Sequence, residues 1–179
     1  DTLNSACRFE AEWMKNTGIF VGEQLGDSAC FSPEKAVTRG EFVTMLVKSL
    51  DIPAEEEVLF TGYTDEIPLW LQPYLAAAVR SGLTAGLPDQ EVFGSGEEIT
   101  GAEAAVMLQN ALALSLTEVA VREETVPVWA ADAVAVLAQN GIMLNGEGAL
   151  TRARVAELLY QVSYLAVDAP GMQILRMQQ

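Results

Sequence analysis

The chain repeats one pattern three times, and that repetition constrains its fold more than any other feature. The anchor is a Thr followed by an amphipathic stretch: Val37-Thr38-Arg39-Gly40-Glu41, Ile99-Thr100-Gly101-Ala102-Glu103 and Leu150-Thr151-Arg152-Ala153-Arg154. Four residues after each Thr stand Phe42, Ala104 and Val155. Seven on are Met45, Met107 and Leu158, and eight on are Leu46, Leu108 and Leu159. Offsets of four, seven and eight mark one face of a helix, so each Thr opens a helix that buries a stripe.

A second anchor lies upstream. Gly18-Ile19, Gly82-Leu83 and Gly141-Ile142 each end an apolar-periodic segment. Gly there predicts a helix C-terminus, because it adopts positive φ without steric cost. Twelve residues before the Gly stand Trp70 and Trp129 in the second and third units, and Ala6 in the first, whose Trp13 sits elsewhere. Each unit therefore reads as helix, Gly turn, loop, helix. The loop is shortest in the third unit, around Asn145-Gly146-Glu147-Gly148-Ala149. Linkers rich in Glu divide the chain into units at roughly 1–52, 63–114 and 126–166, with a tail at 167–179. Pro170-Gly171 breaks the last helix. The apolar Met172, Ile174, Leu175 and Met177 beyond it either dock on the core or lead into another domain; docking is the expectation, since these residues would otherwise face water.

Thr38-x-x-Glu41 and Thr100-x-x-Glu103 fit the capping box, in which hydroxyl and carboxylate satisfy backbone donors reciprocally. Arg154 replaces the Glu in the third unit, losing that bond and placing a cation at the unfavourable end of the dipole. Arg39 and Arg152 follow their caps, where capping does not require Arg. Two readings stand side by side: an anion site shared with helix N-terminal amides, or a salt bridge with a neighbouring carboxylate.

Composition narrows the chemistry. The 179 residues contain 10 Lys plus Arg, 25 Asp plus Glu and no His, a net charge of −15. Without His there is no His general base, no Ser-His-Asp or Cys-His nucleophile and no His-bearing zinc site. The negative charge repels a phosphate backbone and disfavours nucleic-acid binding. No run of about 18 apolar residues exists, so no membrane span is expected. The first residues lack a signal-peptide pattern, which fits either a cytosolic protein or a start after processing. Cys7 and Cys30 are the two thiols. Their spacing excludes CxxC and leaves open one disulfide or two free, partly buried side chains. Asp89 to Gly94 looks like the start of a calcium loop, but Phe93 stands at its fifth place and Thr100 at its twelfth, so no metal or cofactor is expected. No paired carboxylates suggest hydrolysis, and no enzyme activity is expected.

The repeated Trp, the Gly-Ile/Leu turn, Phe31-Ser32-Pro33, Phe93, Trp129-Ala130 and Thr-Arg-Gly-Glu together resemble three tandem S-layer homology (SLH) repeats, over about residues 3 to 166. The resemblance implies an all-α, pseudo-threefold bundle of three helix-loop-helix repeats. It implies an exported bacterial surface protein, extracellular and associated with the cell wall, that anchors noncovalently to an acidic, often pyruvylated, cell-wall polysaccharide held in grooves between repeats. Carried onto this chain, the binding residues would be Thr38, Arg39, Thr151 and Arg152, with Asp65, Trp70 and Trp129 near the grooves. Read from the residues alone, Trp70 and Trp129 are core side chains and Asp65 caps the helix after it. Repeat two has Gly101 in place of Arg, and repeat three lacks the Glu and most of its loop. The alternative is therefore a degenerate SLH scaffold serving structural or protein–protein contacts without sugar binding.

Overall fold

The computed structural model describes residues 1–2, 5–25, 28–54, 61–116, 125–146 and 148–168. Among them are six α-helices: α1 (Arg8–Asn16), α2 (Arg39–Ser49), α3 (Gln72–Arg80), α4 (Gly101–Leu112), α5 (Ala131–Gln139) and α6 (Arg152–Asp168). A 3-10 turn at Val128–Ala130 leads into α5. One small antiparallel hairpin joins β1 (Glu23–Leu25) to β2 (Ser28–Cys30), with Glu23 opposite Cys30. The helix-only expectation did not include it. No helix among the described residues is long and apolar enough to cross a membrane. The tail beyond residue 168, expected to dock, lies outside the described residues.

The three turn glycines do what their positions predict. Gly18, Gly82 and Gly141 have φ of 72°, 72° and 80°. In each, the Gly N–H and the next residue's N–H close the helix end: Gly18 to Lys15 and Ile19 to Met14, Gly82 to Val79 and Leu83 to Ala78, Gly141 to Ala138 and Ile142 to Leu137. These are Schellman closures, which use carbonyls that would otherwise lack donors. Ile19, Leu83 and Ile142 then drop into the core.

The second helix of each unit starts from its Thr. Thr38 and Thr100 both form complete capping boxes, with Glu41 and Glu103 reaching back to the Thr N–H. Thr151 accepts from Arg154 N–H at 3.3 Å without a reciprocal bond. Arg154 turns aside to Glu157 and to the carbonyl of Met143, which relieves its position at the positive helix end.

The residues before these caps meet one another. Val37 N–H donates to Leu150 O at 2.9 Å, Leu150 N–H to Ile99 O at 3.0 Å, and Ile99 N–H to Val37 O at 2.9 Å. The three bonds close a ring. All three side chains are buried in the central core, which also holds Phe42, Leu46, Met107, Leu108 and Leu159. Outside the ring, the first two N–H groups of each following helix donate to a loop of another unit. Arg39 and Gly40 reach Glu97 O and Ser95 O; Gly101 and Ala102 reach Gly148 O and Gly146 O; Arg152 and Ala153 reach Lys35 O and Pro33 O. These amides would be orphans of an isolated helix, and here they join segments distant in sequence.

Cys7 and Cys30 are both free thiols, with Cys7 buried in the core. Of the two readings left open, the structure has the pair of separate side chains.

Candidate site at the helix N-termini

Arg39 leaves the first position of α2 and lies across the end of the Phe93 loop. Its Nη1 donates to the carbonyl of Phe93 and, at 3.4 Å, to that of Gly94. Its Nη2 donates to Glu103 at 2.6 Å and to Glu97 at 3.1 Å. The guanidinium also sits 5.9 Å from the Phe93 ring centroid. The Arg39 side chain is 12% exposed and that of Glu103 9%. Glu103 thus caps its own helix and neutralises Arg39 at once. Removing one partner of such a pair leaves an uncompensated charge, costing about 3–5 kcal/mol where burial is complete.

Arg152 repeats the arrangement from α6. Its Nη1 donates to the carbonyl of Phe31 at 3.0 Å, its Nη2 pairs with Glu23, and Glu41 stands 3.9 Å away. The guanidinium packs 4.9 Å from the Phe20 ring centroid, and the side chain is 3% exposed. Glu23 takes a second cation, Lys35, at 2.5 Å. These bonds from Arg152 and then Lys35 hold its carboxyl at about 2, far below its ordinary 4.5. The corresponding parts at the two sites are the carbonyl of a Phe and the capping-box Glu of another unit.

At the matching place α4 begins with Gly101, and the structure shows why no side chain fits there. A Cβ on Gly101 would lie 1.8 Å from the carbonyl oxygen of Asn145. The backbone of Asn145 occupies the space that a side chain at this position would enter.

Asp65 was expected at a groove or as a helix cap. It does not cap: α3 starts at Gln72, after Leu71, with no side-chain cap. The Asp65 carboxylate instead accepts from Phe93 N–H at 2.8 Å and Gly94 N–H at 3.0 Å. Asp1 does the same for Phe31 and Ser32, at 3.0 and 2.6 Å. Asp1 went unnoticed in the sequence, yet it precedes Gly18 by the same 17 residues that separate Asp65 from Gly82. Trp70 and Trp129 are not core residues; they are 54% and 39% exposed, next to the exposed Leu69 and Val128. Among the described residues, neither makes a hydrogen bond or ring contact with the arginine sites. Thr38 and Thr151 act through their caps.

A cavity of about 270 Å³ opens beside Arg39, walled by Leu87, Pro88, Val92 and Phe93, with Asp89, Glu97 and Glu103 on its polar side. Asp89 accepts from Val92 and Glu91 N–H groups, which draw its carboxyl below the ordinary value. Among the described residues no group of three or more His, Cys, Asp or Glu is placed to hold a metal.

Over 136 residues the chain is 29% identical to the Surface-layer 125 kDa protein of Lysinibacillus sphaericus. That match spans 74% of this chain and 11% of the bacterial protein's length. The chain is similar to part of a surface-layer protein. No protein-family model matches it.

Proposed function

We propose that this chain is a noncatalytic module of a bacterial surface protein, made of three SLH repeats at about 1–52, 63–114 and 126–166 around a pseudo-threefold axis. Its arginines serve as locks between repeats rather than as free anion receptors. One observation carries this reading: at both Arg39 and Arg152, guanidinium and helix N-terminal amides are already engaged by carboxylates and carbonyls of another unit. An acidic saccharide would have to displace Glu103 and Glu97, or Glu23, and would then face their charge. The similarity to a surface-layer protein and the closed hydrogen-bond ring support a structural role at the cell surface. Pull-down with purified wall polysaccharide, pyruvylated and unmodified, tests it. The scaffold reading expects no saturable retention of the wild-type chain on either.

A second reading keeps cell-wall anchoring by a polysaccharide, and the cavity beside Arg39 favours it. With three carboxylates to one Arg, that cavity suits a neutral saccharide better than an acidic one. Saturable retention that disappears when Val92→Trp fills the cavity would support anchoring over scaffolding.

A further inference from the structure

The face shared by α1 and α6 carries a set of aromatic rings that hold one another in place. Phe9 and Trp13 both stand edge-on to Tyr160, with centroids 5.3 and 5.4 Å away, and Tyr160 meets Tyr164 at 5.2 Å. Among the described residues, Phe9 and Tyr164 are 60% and 66% exposed, and Leu165 is 39% exposed. An aromatic side chain buries about 150–250 Å² when fully covered. Phe9, Tyr164 and Leu165 together therefore leave roughly 300 Å² of apolar surface open, the size at which a patch on a monomer marks a contact. Rings already held by their neighbours lose little freedom when a partner arrives.

The charges around the rings select the partner. A chain of net charge −15 repels copies of itself over most of its surface. On this face that repulsion is absent: in α1, Arg8 and Lys15 balance Glu10 and Glu12, and α6 carries no charge between Glu157 and Asp168. Arg8 and Glu12 lie one turn apart on the solvent side of α1, 3.1 Å from each other, with 52% and 56% of their side chains exposed. Turned about a twofold axis, such a helix sets each of the two charges against its opposite, so the pattern is complementary to itself. We infer that this face pairs with the same face of a second copy of the chain. In the pair α1 runs antiparallel to its counterpart, Arg8 meets Glu12 of the partner subunit, Glu12 meets the partner subunit's Arg8, and the open rings are covered. A standard interface takes about 800 Å² from each partner, and the open patch supplies less than half of that, so the dimer is weak and concentration-dependent.

Sedimentation equilibrium on the full chain tests this between about 10 μM and 1 mM, the range in which a weak interface populates a dimer. The weight-average mass should climb from 19.2 kDa toward twice that value. Tyr164→Ser removes an exposed ring and should raise the dissociation constant by about tenfold or more. Arg8→Glu and Glu12→Arg each set like charges against each other across the axis and should do the same. Mixing those two variants should restore association, because each carries the charge the other lacks. A role confined to the ion pair within one helix gives no such rescue. Circular dichroism of the separate variants verifies that their helices remain. A chain that stays at 19.2 kDa at about 1 mM overturns the inference. So does association that survives Tyr164→Ser unchanged, or a mixture no heavier than its components.

Discussion

Asp65 and Arg39 grip one short segment from opposite sides: Asp65 accepts the N–H groups of Phe93 and Gly94, and Arg39 donates to the carbonyls of the same two residues. The segment thereby links a carboxylate of its own unit to a cation of another. Asp1 and Arg152 treat Phe31 the same way, from N–H and carbonyl respectively. Hydrogen bonds to an ionised partner are worth about 1.5–3 kcal/mol, so each carboxylate contributes visibly to the fold. Asp65→Asn presents one acceptor and an NH2 group to two N–H donors, and should destabilise by roughly 2 kcal/mol. Urea unfolding checks this: the midpoint should fall while the slope stays constant.

The close approach of the Asn145 backbone to α4 makes a contrast between two glycines. Gly101→Ala forces a Cβ against the carbonyl of Asn145, where backbone rather than a flexible side chain must yield. A loss of about 1–3 kcal/mol or more is expected. Gly96→Ala meets nothing within 4 Å. It should leave stability within about 1 kcal/mol of wild type, on the stabilising side. Thermal unfolding of the two variants in parallel gives the comparison.

Glu23 sets an acid dependence with a defined sign. Its folded-state value of about 2 lies below the ordinary 4.5, so the unfolded chain binds the proton more readily. The stabilisation from Arg152 and Lys35 is complete above about pH 4.5 and lost as pH falls toward 2. Glu23→Gln removes that component. The stability difference between wild type and variant should therefore shrink between pH 5 and 2, read by urea unfolding at each pH.

The local features of this fold were legible because their causes are local. A Gly one residue past a helix C-cap readily takes positive φ, and a Thr three residues before a Glu can close a capping box within one turn; Gly18, Gly82, Gly141, Thr38 and Thr100 all obey. The candidate site was half legible. Repetition singled out Arg39 and Arg152, but their partners lie 64 and 129 residues away at Glu103 and Glu23, and spacing says nothing about which carboxylate arrives there. Asp65 failed for the same reason: its ligands are 28 and 29 residues on, not in the helix that follows. The place of Trp70 and Trp129 before amphipathic helices suggests core side chains, yet both stand outside the stripe that α3 and α5 bury. The β1–β2 hairpin left no alternation in its three-residue strands to detect.

The most direct measurement is a double-mutant cycle between Arg39→Ala and Glu103→Ala, followed by urea unfolding. If Arg39 is an interface lock, each single variant loses stability, and the double variant loses less than their sum by a coupling of about 1–3 kcal/mol. A coupling indistinguishable from zero, with Arg39→Ala as stable as wild type, would contradict the account and return Arg39 to the role of a ligand-binding cation.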